Sequence, residues 1–402
     1  MLNQTPEICV CETPPLQAGL IAPGVSPGFK MRPEVERINS GLAFAKLHEQ
    51  WDELLAESAS DCLFHTWEWL FTWWKHLAAG RELSILTIVS GNKLTGIAPF
   101  CLRPSNWSFG HPFRVLEFLG CGYVGSDYLD LIVRRGHEEY ARTLFASHLA
   151  TQRLVLKWTS LRRGACFANH IASVLLGQGW RMSDAKINTC PYISLEGKTW
   201  ESYMASLGSE HRYNFRRKWK ALNRDHVVRF EQVATEARCR EAVDLLIGQH
   251  NQRWRSRGGS DAFHTPELVA FHQEFAPIAL RRGWLRLYVL WIDDIPAASL
   301  YGFLYRRKFY FYQSGFDAAY EKQSVGLITM GLAIQRAIDE RATEYDLLHG
   351  DEAYKSHWSR ERRDLGRIEL YPPGWLGRIC QSSIEFARAS RRRAGRTLTK
   401  TL

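Results

Sequence analysis

No apolar run in this 402-residue chain approaches the roughly 20 residues that a bilayer-spanning helix needs, so any membrane contact is expected to be peripheral. Cysteine is present but unorganised. Nine are scattered from Cys9 to Cys380 with no pair of CxxC motifs and no secretory leader ahead of them, which argues against a disulfide framework and for a reduced, cytoplasmic compartment. Cys9-Val-Cys11 has the closest spacing but lies in a Pro-rich stretch, and is read as two free thiols; no metal is expected. A glycine-rich phosphate loop is also lacking, since the best candidate turn, Gln323-Ser-Val-Gly-Leu327, holds a single glycine. Acidic side chains are too few to balance the basic ones: 52 Lys and Arg against 42 Asp and Glu leave a formal charge of +10, which suits phosphates, nucleic acid or an anionic membrane surface.

With 45% hydrophobic residues, a chain of this length can bury one large core or two ordinary ones, and two is the expectation. Residues 1–35 contain six prolines and no sustained periodicity, so they are read as a flexible leader, with folding beginning near Leu42. Helical stripes at Leu47, Trp51, Leu54 and Leu55 and at Trp67, Leu70 and Trp74 precede a hairpin, Leu83–Val89 and Leu94–Phe100 about a Gly91-Asn92 turn. The tryptophan run fits a buried helix, with stacking on sugars or a membrane interface as the lesser reading. Strands near Phe113–Leu119 and Tyr128–Val133, a helix near Glu138–Leu149 and a strand at Leu154–Trp158 follow. About 200 residues later the plan recurs: helices Glu236–Trp254 and Pro266–Leu280, then Trp284–Ile292, an Asp293-Asp294 turn and Ile295–Tyr305. This is duplication of topology, and it divides the chain into a leader, domains at 36–195 and 196–375, and a basic tail at 376–402.

The stretch from Lys308 to Trp358 carries most of the chemistry. Lys308-Phe-Tyr-Phe-Tyr-Gln-Ser314 reads as a buried strand broken by Gly315-Phe-Asp317; a loop, Ala318–Val325, leads to a helix from Gly326 whose Leu327, Met330, Ile334 and Ile338 recur at helical spacing. Tyr345-Asp-Leu-Leu348 is a return strand, so a right-handed parallel crossover is expected. Gln323, Ser324, Val325, Gly326 and Leu327 then sit at a helix N-terminus, where free N–H groups and the helix dipole suit an anion such as a pyrophosphate. An ordinary helix-start loop is the competing reading. Backbone N–H groups of Gln313, Ser314, Gly315 and Phe316 could orient an acyl carbonyl. Between the halves, Glu210–Arg224 carries six Lys or Arg; Phe215, Trp219 and Leu222 would face the protein, leaving Arg212, Arg216 and Arg217 to hold phosphate or an acidic glycan, or else to form a solvated linker helix. His250 and Arg253, one turn apart, could meet donor or acceptor, or serve the core. Of the side chains after the last strand, His349 has the most suitable unperturbed pKa for a general base. Asp351 is read as a loop residue.

Tyr345-Asp-Leu-Leu-His-Gly-Asp-Glu-Ala-Tyr-Lys-Ser-His-Trp358 resembles the "fDxxxGxxxYKxxW" signature of GNAT-type acyltransferases related to the cellulose-biosynthesis protein CelD, which are similar in turn to the FemAB peptidoglycan-bridge ligases. His250-Asn-Gln-Arg-Trp254, Pro296-Ala-Ala298 and Tyr312-Gln-Ser-Gly-Phe-Asp317 extend the match. So do His65-Thr-Trp-Glu-Trp69, Gly96-Ile-Ala-Pro99 and Ser126-Asp-Tyr-Leu-Asp130, and the whole runs from Leu42 to Tyr371. The resemblance implies an α/β fold of two tandem GNAT-like domains, each a mixed twisted sheet flanked by helices. It implies transfer of an acetyl or other acyl group from acyl-CoA to an amine on an amino sugar or polysaccharide precursor. It places Asp346, Glu352, Tyr354 and Lys355 in the signature beside His349, with Tyr354 protonating the leaving thiolate and Lys355 holding phosphate or an oxyanion. The donor site is expected in the second half, the first half shaping the acceptor. The single glycine of the helix-start loop departs from the usual pattern, which keeps two rivals in play. One is Fem-like transfer from aminoacyl-tRNA with the basic helix as tRNA contact; the other is a non-catalytic glycan or nucleic-acid binding module.

Overall fold

The computed structural model describes residues 34–103, 113–255 and 262–398, without the side chains of 253–255 and 391–398. The leader except its last two residues, Cys9 and Cys11, and the side chains of Arg253 and Arg391–Arg393 therefore lie outside the described residues. The first half contributes β1 (Val35–Ile38), α1 (Gly41–Lys46), α2 (His48–Ala56), α3 (Trp67–Leu77), β2 (Glu82–Leu83), β3 (Ile85–Ser90), β4 (Lys93–Ala98), β5 (Phe100–Arg103), β6 (Arg114–Phe118), β7 (Ile132–Val133), α4 (Glu138–Ala150), β8 (Leu154–Arg162), α5 (Ala168–Gly177) and β9 (Arg181–Ser194). The second adds α6 (Trp200–Ser206), α7 (Ser209–Asp225), β10 (Val228–Gln232), α8 (Glu236–Arg255), α9 (Pro266–Arg281), β11 (Leu285–Ile292), β12 (Ile295–Tyr305), β13 (Lys308–Phe316), α10 (Val325–Asp339), β14 (Glu344–Asp346), α11 (Ala353–Trp358), β15 (Glu361–Tyr371) and α12 (Trp375–Leu398).

Both hairpins form where the turn residues call for them. Asp293 and Asp294 take positive φ values of 48° and 62°, the primed-turn geometry that matches strand twist. In the first half Pro99, which has no N–H to give a ladder, separates β4 from β5 and hands the chain from one sheet to the other. The small sheet runs β1-β3-β4-β7. The large one, among the described residues, has eleven strands in the order β10-β11-β12-β13-β14-β9-β15-β8-β6-β5-β2. Each half supplies one parallel pair to it, β6 with β8 and β13 with β14, joined by crossover helices α4 and α10. The expected crossover after Lys308 is thus present. Second-half β15 lies between first-half β9 and β8, pairing with both, so backbone hydrogen bonds bind the halves into one mixed α/β sheet.

The tryptophan run is core. Trp69 and Trp73 are buried, and Trp69 packs edge-on against Phe271 and Phe275 of α9. Three expectations give way. Order begins at β1, ahead of Leu42, because four residues suffice when they pair with β3. Only Ile132–Val133 of the Tyr128–Val133 segment is strand, since Tyr128 is turned to φ 62°. Gly315 does not break its strand: β13 continues to Phe316, and α8 approaches so closely that a Cβ on Gly315 would lie 2.8 Å from the His250 nitrogen.

Candidate active site

β14 pairs with β13 only from Lys308 to Tyr310 and then leaves, so among the described residues the β14 side of Phe311–Phe316 has no strand beside it. The register with β12 shifts at the same point, leaving Tyr312 as the extra residue of a bulge. Its hydroxyl donates to the carbonyl of Val124, tying the bulge to a first-half loop. Two adjoining cavities open here. The first, about 530 Å³, is lined by Ser314 and Phe316 of β13, by Ser324, Val325, Gly326, Leu327 and Met330 around the start of α10, and by Tyr354, His357 and Trp358 of α11. No side chain caps α10, whose N-cap Ser324 is left-handed at φ 58°, so the first helical N–H groups suit an anion. A Cβ on Gly326 would be 3.7 Å from Phe316, ordinary contact, so the glycine keeps cleft space open rather than satisfying a tight packing demand.

The second cavity, about 230 Å³, is lined by Tyr123, Val124 and Gly125 of the first half, and by Tyr312, Gln313, His349, Glu352, Tyr354 and Lys355 of the second. Tyr354 belongs to both walls. His349 is the titratable side chain of this wall that meets a buried carboxylate. Its backbone N–H donates to Asp127 Oδ2 at 2.8 Å and its Nδ1 lies 2.9 Å from Asp127 Oδ1. Asp127 is 1% exposed and the imidazole 42%, so a buried carboxylate holds one ring nitrogen and Nε2 is left for a substrate proton. The Asp127 charge, and to a lesser degree its hydrogen bond, raises the His349 pKa above its ordinary value against the opposing effect of burial. The turn carrying this histidine is strained: Leu348 sits at φ 53°, held by its N–H donating to Asp346 Oδ1. Lys355 Nζ, almost wholly buried, donates to the His349 carbonyl at 2.8 Å and pairs with Glu352 at 2.9 Å.

The structure brings His349, Glu352, Tyr354 and Lys355 together. It sets Asp346 apart: wholly buried, that carboxylate accepts from the Tyr128 hydroxyl at 2.7 Å and from Arg363 at 3.2 Å, and lines a different cavity. Burial pushes its pKa up to about 6 despite the arginine. Asp346 thus links the halves through Tyr128 and stands outside the two cavities above. Lys355 is likewise spent on carbonyls and Glu352, and braces the turn. Among the donor residues, Gln323 lies outside the cleft wall, its Oε1 buried without a protein partner, and Gln313 lines the second cavity. His250 is buried, with Nδ1 3.2 Å from the Ser314 carbonyl, so it supports the strand from behind. Arg212 donates to the carbonyls of Met204, Ala205 and Leu207, closing the end of α6. Arg216 and Arg217 are exposed on α7, Phe215 and Leu222 being the buried side, while His211 and Asn214 of the same helix line the first cavity. Asp351 pairs with Arg362 at the surface. Elsewhere, His48, Asp52 and Glu68 bring ligand atoms within 4.8 Å, but Arg282 already donates to all three.

Asp127 was not singled out by sequence reasoning, although Ser126-Asp-Tyr-Leu-Asp130 entered the resemblance as a block. Its partner lies 222 residues away, so no local spacing marks it.

Residues 209–356 match the family described as Acetyltransferase (GNAT) domain. No curated protein matches the chain. Among solved structures, FemX superposes with a TM-score of 0.59 at 10% identity over 84% of this chain and 96% of that one. The C-terminal domain of a candidate lysylphosphatidylglycerol synthetase from Agrobacterium fabrum gives 0.51 at 9% identity over 86% and 96%. A conserved protein of unknown function from Bacteroides thetaiotaomicron gives 0.50 at 11% over 84% and 99%. At these identities the likeness is one of fold, and it covers both halves.

Proposed function

We propose that the protein is a cytoplasmic N-acyltransferase that moves an acetyl or other acyl group from acyl-CoA to an amine, on an amino sugar or polysaccharide precursor. The observation that carries this reading is the meeting of an uncapped helix N-terminus and an Asp127–His349 pair at one wall residue, Tyr354. The pyrophosphate would lie at Val325–Leu327, the thioester along the unpaired side of Gln313–Phe316. The acceptor amine, entering by the second cavity, loses a proton to His349 Nε2 as its nitrogen attacks the thioester carbonyl. The C–N bond forms, the C–S bond breaks, and the Tyr354 hydroxyl gives the departing sulfur its proton. Neither a metal nor a covalent enzyme intermediate is required.

The test is thermal unfolding with and without CoA and acetyl-CoA, on the wild type and Gly326→Trp. A ligand at ~100 times its dissociation constant adds about 2.7 kcal/mol of stability. Stabilisation of the wild type alone supports the donor site; stabilisation of neither protein by either ligand refutes it. One observation favours a second reading, transfer from aminoacyl-tRNA: Arg216 and Arg217 are exposed on the helix whose first turns line the donor cleft. That reading predicts tRNA binding with steep salt dependence, removed by Arg216→Gln with Arg217→Gln.

A further inference from the structure

α12 has two unlike faces. Gly377, Cys380 and Gln381 are buried, Ile384 packs into the small cluster around Cys380 and Tyr371, and Arg388 reaches back to Glu369 at 2.6 Å. Those positions recur at helical spacing and seat the helix on β15. The opposite face carries Trp375, Ile379 and Phe386, spaced by four and seven residues, and these are 69%, 53% and 75% exposed. Arg378 is exposed beside them, and the sequence continues with Arg391, Arg392, Arg393 and Arg396. Three large apolar side chains thus form one solvent-facing row with Arg378 beside it, ahead of a basic stretch of sequence, and they line neither cavity of the cleft.

We propose that this face of α12 docks the protein on an anionic lipid bilayer, with Trp375, Ile379 and Phe386 entering the head-group boundary and the arginines lying against lipid phosphates. An amphipathic helix of this composition lies in the plane of the interface, and basic side chains beside the apolar row add attraction for negatively charged lipid. Charge selects this occupant over two others. A second copy would set the same arginines against each other. The segment before Pro33 carries Glu7 and Glu12 against Lys30 and Arg32, and so offers no complementary charge.

The experiment is co-sedimentation of the full chain with vesicles of phosphatidylcholine alone and of phosphatidylcholine mixed with phosphatidylglycerol. It compares the wild type with the triple variant Trp375→Ser, Ile379→Ser, Phe386→Ser and with Phe386→Ser alone, the most exposed position. Expected are binding of the wild type to the phosphatidylglycerol vesicles, and a loss of at least roughly ten-fold in the triple variant with unchanged unfolding temperature. Phe386→Ser should fall between them. Equal binding by wild type and Phe386→Ser, equal binding to both vesicle types, or a wild-type dimer that the variants convert to monomer would each overturn the proposal. The dimer result would assign the row to a self-interface.

Discussion

His349 and Asp127 form the pair on which the acyl-transfer reading stands or falls. On the proposed function, His349→Gln should lower kcat by about 10²–10⁴-fold and leave the CoA dissociation constant nearly unchanged, because the imidazole faces the second cavity and not the helix N-terminus. The base must be neutral to accept a proton, so kcat should rise with pH and level off above the raised His349 pKa. Asp127→Asn removes the largest cause of that rise, so the acidic limb of the profile should move to lower pH while the plateau falls; an unmoved limb would sink the pair. The sign for stability is the reverse: a folded-state pKa above the ordinary 6.5 favours the protonated ring, so the contribution is present below that value and is lost as pH climbs through the raised one. Asp346 obeys the same sign. With its pKa at about 6 against an ordinary 3.8, its contribution is present below about pH 4 and fades by about pH 6, and Asp346→Asn should flatten that part of a urea-unfolding profile. That a histidine follows the last strand was legible in the sequence, and the structure sets it on a cavity wall. Asp127 and the sequestration of Asp346 were not, because both depend on contacts that cross more than two hundred residues.

Two glycines of the β13–α10 unit separate packing from binding. A Cβ on Gly315 would meet the His250 nitrogen at 2.8 Å and Gln249 Cβ at 2.9 Å, atoms of a helix that cannot yield cheaply, so Gly315→Ala should cost about 1–3 kcal/mol in unfolding free energy. Gly326→Ala, meeting Phe316 only at 3.7 Å, should leave stability within about 0.5 kcal/mol, and Gly326→Trp should abolish CoA binding without unfolding the protein. Periodicity located nearly every element here, the helix at Val325 and the return strand included. It missed that Gly315 serves helix approach rather than a turn, since both uses look alike in a linear sequence. The cleft opens where β13 and β14 part after three paired residues, a length that propensity does not encode.

The interleaving of β15 between β9 and β8 makes the two halves one folding problem. Produced separately, 1–195 and 196–402 should each fail to show a cooperative unfolding transition: the second half would lose β9 beside β14 and β15, and with Asp127 the partner of its histidine. Far-UV circular dichroism with thermal melts of both fragments checks this, and a sharp melt and CoA binding by 196–402 alone would refute it. Beside the substrate-shaping part expected of it, the first half supplies the carboxylate that meets His349.

Hydrophobic period, turn residues and the aromatic strand were enough to set the two hairpins, the helices that precede them, the second-half crossover and the signature segment, because those choices are made between near neighbours. The tertiary structure alone decided which carboxylate meets His349, which lies apart from it, and that one sheet runs through both halves. Those outcomes depend on strand pairing between segments far apart in the chain, where spacing carries no information about who the partner is.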